Sequence, residues 1–115
     1  MTYSPGDVID IRPLGSALTQ ARTMALVKTH TLQVIRLVIP SGKDIATHLS
    51  DGEITVQCLE GRVTFTAADR TQELGPGQLL YLASKEPHSL HGIEDASVLV
   101  TKFLPKGAVI VRIRL

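Results

Sequence analysis

The sequence has very few aromatic residues and a single cysteine. It contains no tryptophan, two phenylalanines and two tyrosines, while apolar residues make up 43% of its 115 positions. That apolar share is enough for one packed domain, and the scarcity of rings means that its core is mainly aliphatic. The lone Cys58 excludes an internal disulfide and a cysteine zinc cluster.

An excess of charge and long apolar runs are also missing. Lys and Arg number 12 against 11 for Asp and Glu, so no charge bias favours nucleic acid or a membrane surface. No apolar stretch approaches the roughly 18 residues of a membrane span. The first 13 residues lack the basic start and apolar run of a signal peptide. We therefore expect a soluble, cytoplasmic protein without a nucleic-acid or membrane partner.

Short strand-like segments fill most of the chain. They are rich in β-branched residues or alternate between apolar and polar positions, and turn signals separate them every eight to twelve residues. Only residues 14–22 could hold a helical turn. The strand-like segments are 7–12, 23–28, 32–40, 62–67, 72–74, 78–83, 87–93, 96–104 and 108–115, besides a hairpin within 42–61. This pattern predicts an all-β sandwich or barrel forming one domain over residues 1–115.

The stretch 42–61 carries the richest polar pattern. Asp51-Gly52 lies between two alternating runs and predicts a two-residue hairpin turn. In that register, cross-strand neighbours share a face. The polar face would carry His48, Ser50, Glu53, Thr55 and Gln57, and the apolar face Ile45, Leu49, Ile54, Val56 and Cys58. Such a polar face indicates either a site or ordinary solvent exposure.

Two spaced motifs resemble those of small cupins. In the first, five residues separate Gly42 from His48, and Gly61 closes the stretch; in the second, Gly77 precedes His88 across the segment QLLYLASKEP. The resemblance covers about residues 32–103. It implies a single-domain cupin of the RmlC-like jelly-roll β-barrel type, with a core of about 32–104.

The resemblance also implies a site. His48 and His88 match metal-binding histidines of the family, Ser50 stands where a second histidine is usual, and Glu53 lies one position before the usual glutamate. A third ligand would come from Glu53 or Gln57, and the metal would be iron, manganese, nickel or zinc. Ser50, Glu53 and Gln57 are expected to line the pocket.

Three functions remain open. The first is a metal-dependent oxygenase or isomerase acting on a small organic acid or a sugar-like molecule. The second is a binding or sensing cupin without metal, and the third is a mainly structural dimer. We expect a homodimer, because small cupins commonly pair through sheet edges and the two strand-like ends offer further edges.

Several other residues have expected positions. His91 is three residues after His88, so on a strand it should face away from the pocket. His30 should be exposed, and Cys58 should be a small buried hydrophobe. Arg36 interrupts the apolar run 32–40, which indicates either an edge or surface strand or a contact between its guanidinium and an anionic ligand. Arg112 and Arg114 should lie on the solvent side of a terminal strand.

Overall fold

The computed structural model describes residues 2–105 and is built almost entirely from strands. One 3-10 helix, Gly15–Gln20, precedes them and lies within residues 14–22, the segment that could hold a helical turn. No helix among these residues is long and apolar enough to span a membrane. The strands are β1 Met24–Lys28, β2 Leu32–Ile39, β3 Asp44–His48, β4 Ile54–Glu60, β5 Val63–Ala67, β6 Arg70–Leu74, β7 Leu79–Leu82, β8 His88–Gly92 and β9 Ala96–Phe103.

Two antiparallel sheets contain these strands. The five-stranded sheet has the order β1-β2-β9-β4-β7, and the four-stranded sheet has the order β3-β8-β5-β6. On β4, burial alternates residue by residue, because successive side chains of a strand point to opposite faces. The apolar faces of both sheets contribute to one core. Its most completely buried large side chains include Phe65, Ile39, Val56, Val63 and Val98.

The predicted hairpin between β3 and β4 is wrong. β3 pairs with β8 in the four-stranded sheet, whereas β4 pairs with β7 and β9 in the other sheet. The segment containing Asp51 and Gly52 therefore crosses between sheets, and neither residue has a positive φ. A Cβ atom on Gly52 would lie only 1.9 Å from the carbonyl oxygen of Phe103. Close approach to β9, and not turn geometry, explains the glycine.

The strand expected in residues 7–12 is also wrong. These residues form no strand and run outside the sheets. The guanidinium of Arg36 on β2 donates a hydrogen bond to the carbonyl oxygen of Arg12 at 2.5 Å, so the segment is held by a side chain instead of a backbone ladder. The other expected terminal strand, 108–115 with Arg112 and Arg114, lies outside the described residues.

Candidate functional site

The inner faces of the two sheets enclose a cavity of about 120 Å³. Most of its wall is aliphatic, as the sequence composition predicts. The apolar lining consists of Ile35, Leu37, Ile45, Ile54, Val56, Phe65, Leu90 and Val100. Three polar side chains complete the wall: His48, His88 and Lys102. The cavity therefore combines an apolar enclosure with a small number of polar groups, which is the usual composition of a ligand site.

His48 and His88 lie side by side on neighbouring strands. They are directly opposed in the β3–β8 pairing, and their ring centroids are 4.3 Å apart with an interplanar angle of 62°. A register shift lies between Ile45 and His48. A bulge of this kind changes which face a residue occupies, so both Ile45 and His48 reach the cavity despite their odd spacing.

Backbone carbonyls determine which imidazole nitrogen carries a hydrogen. Nδ1 of His48 lies 3.0 Å from the carbonyl oxygen of Ala46, and Nδ1 of His88 lies 2.9 Å from that of Glu86. A carbonyl oxygen only accepts hydrogen bonds, so each Nδ1 is the donor. In the neutral ring, Nε2 then carries a lone pair and can accept a hydrogen bond or bind a metal.

His88 is the more deeply placed of the two rings. It is 4% exposed and stacks on Phe65 with ring centroids 5.6 Å apart, whereas His48 is exposed. Burial lowers the pKa of His88; the hydrogen bond to the Glu86 carbonyl opposes this shift, and the charges of His48 and Lys102 reinforce it. With its pKa below the ordinary value of 6.5, His88 is neutral at neutral pH.

Lys102 brings a positive charge to the same cavity. It is half-buried near the end of β9, directly opposite Ile54 on β4. Within residues 2–105 its ammonium group forms no ion pair and no side-chain hydrogen bond. Neither sequence motif includes this residue. The signal was the alternation on β9, where Val98, Val100 and Lys102 share one face.

The other predicted pocket residues do not line this cavity. Glu53 is exposed and accepts a hydrogen bond of 2.5 Å from the hydroxyl of Tyr81. Gln57 lies between the inward-facing Val56 and Cys58, which places it on the outer face of the five-stranded sheet. Their common face with His48 was deduced from the hairpin, which β3 and β4 do not form.

Ser50 also lies outside the cavity lining. Its hydroxyl oxygen is buried and has no hydrogen-bond partner among the described residues. Its backbone carbonyl accepts a hydrogen bond from the N–H of Lys85 at 2.8 Å. Ser50 is thus fixed by its backbone next to the site, with a hydroxyl that nothing in residues 2–105 satisfies.

The remaining histidines and the cysteine lie where the sequence predicted. His91 faces away from the cavity and pairs with Asp44 on the surface through a 2.5 Å contact, and His30 is exposed. Cys58 is completely buried, and burial raises the pKa of its thiol. A buried, protonated thiol is a poor nucleophile, so Cys58 serves as a small core residue.

The side chains present do not fit a resident divalent metal of the kind that the resemblance implies. Residues 2–105 contain no cluster of three or more His, Cys, Asp or Glu side chains able to hold an ion. Residues 106–115 contain none of these four residue types. Two imidazoles alone make a weak site, and the ammonium of Lys102 in the same cavity repels a cation.

A family model described as "Cupin domain" matches residues 35–102. Among solved structures, a cupin superfamily protein from Desulfitobacterium hafniense is similar with a TM-score of 0.72 and 21% identity, covering 84% of this chain and 94% of that one. A conserved protein of unknown function from Streptococcus pyogenes has a TM-score of 0.71 and 23% identity, covering 90% and 92%. These likenesses confirm the jelly-roll fold.

An enzyme is also among the similar structures. A salicylate 1,2-dioxygenase from Pseudaminobacter salicylatoxidans gives a TM-score of 0.65 and 20% identity over 70% of this chain. That alignment covers only 25% of the dioxygenase. At this identity the likeness concerns the fold alone. No curated protein matched the chain.

Proposed function

This chain belongs to the cupin domain family, and we propose that it binds a small, largely apolar organic molecule in the cavity between its two sheets. The observation that carries the proposal is a mostly apolar cavity wall to which only His48, His88 and Lys102 add polar side chains. Apolar cavities of roughly 150 Å³ bind a single benzene molecule. A cavity of about 120 Å³ therefore suits a ligand the size of one ring or a short branched chain.

Hydrophobic contact with the wall would provide most of the affinity, and the polar groups would fix the orientation. Each buried methylene contributes about 0.8 kcal/mol, so a body of six or seven carbons supports binding without any covalent chemistry. The Nε2 lone pairs of His48 and His88 would accept hydrogen bonds from the ligand. The N–H···O=C bonds from Nδ1 hold these rings in that tautomer.

Filling the cavity should abolish ligand binding. We expect benzoate or benzamide to bind the wild-type chain saturably, with NMR shift changes concentrated at the cavity wall. In Val56→Phe the added ring occupies the cavity, and affinity should fall by about tenfold or more, equivalent to 1.4 kcal/mol. Thr55→Phe is the matched control, because Thr55 is the next residue on β4 and faces outward. Failure of both probes to bind the wild type, or equal binding by Val56→Phe, would contradict the proposal.

The alternative is a metal-dependent oxygenase or isomerase with iron, manganese, nickel or zinc at His48 and His88. The two Nε2 lone pairs at adjacent positions favour it, whereas the lack of a third ligand in residues 2–105 and the ammonium group of Lys102 oppose it. Metal analysis of protein purified without added metal separates the two candidates. We expect far less than one ion per chain, and stoichiometric metal that is lost in His88→Ala would favour the enzyme.

We also propose that the chain forms a homodimer. Both edges of the five-stranded sheet, β1 and β7, lack a strand partner on their outer side within residues 2–105. Leu79 and Tyr81 on β7 are 63% and 59% exposed, and edges of this kind pair readily with another chain. Light scattering at high micromolar concentration should give the mass of two chains for the wild type and a lower mass for Leu79→Lys. A wild-type monomer would contradict the proposal.

A further inference from the structure

We infer that the cavity selects a small organic carboxylate that also carries a hydroxyl group, with its anionic end against Lys102. This inference rests on the proposed function, because it names the class of ligand that the same cavity takes. It starts from two features that an apolar cavity does not require: a cation with no side-chain partner among residues 2–105, and two imidazoles that present lone pairs.

The stronger feature is Lys102, for which the described part of the chain supplies no ion-pair partner. A charge removed from water is costly unless an opposite charge or several hydrogen bonds compensate it. The chain meets this requirement at Arg36, which is 8% exposed and reaches the carboxylate of Glu60 as well as two backbone carbonyls. Lys102 is half-buried and has no comparable partner in the described residues. An anionic group on the ligand would supply it.

The imidazoles decide which anion fits best. A phosphate group needs several hydrogen-bond donors around its oxygens. Here the side chains of the cavity offer one ammonium group, while the Nε2 atoms of His48 and His88 are acceptors in the neutral rings. One carboxylate matches one ammonium. A hydroxyl on the same ligand can donate to an Nε2 lone pair, which no carboxylate oxygen can do.

The hydrogen bonding of the rings supports this division of roles. Nδ1 of His88 lies 2.9 Å from the carbonyl oxygen of Glu86, so its Nε2 is left to accept a hydrogen bond from the ligand hydroxyl while the ligand carboxylate pairs with the ammonium group of Lys102. The apolar body of the ligand would lie against Phe65 and the aliphatic wall.

The contribution of the ligand's negative charge to binding can be tested with two probes of nearly the same shape. Benzoate and benzamide are nearly isosteric, and only benzoate is anionic. A hydrogen bond to a charged group is worth enough to give benzoate about tenfold or more tighter binding by calorimetry at low salt. Lys102→Met keeps the apolar stem and should remove this preference, so that benzoate and benzamide bind that variant with affinities within about threefold of each other. Lys102→Arg should restore it, and Lys43→Met, at an exposed position away from the cavity, should leave it unchanged.

The hydroxyl is tested separately with the three hydroxybenzoate isomers. At least one should bind more tightly than benzoate, and this gain, taken as the ratio of the two affinities in the same protein, should be lost in His48→Leu/His88→Leu, which removes both acceptors. Equal binding of benzoate and benzamide by the wild type would overturn this inference and leave the proposed function standing. So would an undiminished preference for benzoate in Lys102→Met, or the absence of any gain from a hydroxyl. Binding of neither benzoate nor benzamide would overturn both.

Discussion

Replacing Gly52 with alanine should destabilise the folded chain by about 3 kcal/mol or more, since overpacking a fixed backbone is among the costliest substitutions. The new Cβ atom would lie 1.9 Å from the carbonyl oxygen and 2.8 Å from the carbonyl carbon of Phe103. Hydrogen bonds hold this part of the backbone: the N–H of Phe103 donates to Glu53, and the N–H of Leu104 donates to Thr31. Relief of the clash would have to break that pairing.

Urea denaturation of Gly52→Ala and Gly75→Ala should separate this clash from the general effect of losing a glycine. Gly75 also lacks a positive φ, and its added Cβ would meet only the guanidinium of Arg62, at 3.0 Å. A flexible side chain can move away, so Gly75→Ala should stay within about 1 kcal/mol of wild type. If Gly52→Ala were as stable as Gly75→Ala, the close approach of the two segments would not exist in the folded protein.

Gly52 also shows why the sequence predicts the positions of strands better than it predicts which strands pair. Alternation along a strand is a local property, and Ile54, Val56 and Cys58 of β4 are buried as the pattern indicates. Strand pairing depends on the whole chain. Asp51-Gly52 has the composition of a tight hairpin turn, but the same glycine is required where one backbone passes close to another. Sequence alone does not separate these two causes.

The residues of the candidate site were likewise predicted where the signal is local and missed where it depends on strand pairing. The motif spacing led to His48 and His88, which β3 and β8 bring together. The prediction that Glu53 and Gln57 line the pocket depends on a hairpin between β3 and β4. It loses its basis because these strands lie in different sheets. Lys102 comes from the last described strand, 14 residues after His88, and belongs to neither motif. Its position follows only from the pairing of β9 with β4 and β2.

Arg36 was expected either on a surface strand or against an anionic ligand, and the structure shows a third arrangement. Its side chain packs on the outer face of β2, where Glu60 of β4 and Ser97 of β9 approach it. The carboxylate of Glu60 lies 3.6 Å from the guanidinium and accepts a 2.6 Å hydrogen bond from the hydroxyl of Ser97. It also accepts hydrogen bonds from the backbone N–H groups of Leu14 and Gly15 at 3.0–3.1 Å. This network attaches the N-terminal segment to the five-stranded sheet.

The network has a definite pH dependence. Burial acts to raise the pKa of Glu60, but the hydrogen bonds from Leu14, Ser97 and Gly15 and the charge of Arg36 outweigh it, so the pKa is lowered from its ordinary value of 4.5. A carboxyl group with a lowered folded-state pKa contributes stability above its unfolded value. That contribution is fully present above about pH 4.5 and is lost as the pH falls through the folded-state value.

Glu60→Leu should therefore destabilise the chain at neutral pH by about 3–5 kcal/mol, because Arg36 is then left buried without its carboxylate. The double variant Arg36→Met/Glu60→Leu should recover part of this loss, since it removes the uncompensated charge. Glu73→Gln is the control: its ion pair with Arg62 has side chains 60% and 44% exposed, so the cost should stay below about 1 kcal/mol.

The free energy of unfolding at acid pH separates the effect of the Glu60 charge from the effect of its packing. Urea denaturation between pH 7 and pH 3 should show the wild type losing stability below about pH 4.5, as other carboxylates also protonate. The difference in stability between wild type and Glu60→Leu should shrink over that range, because protonation removes the negative charge that the variant already lacks. A difference that stays constant down to pH 3 would mean that Glu60 stabilises the chain through packing. In that case the ion pair would contribute nothing to holding residues 11–15 against the sheet.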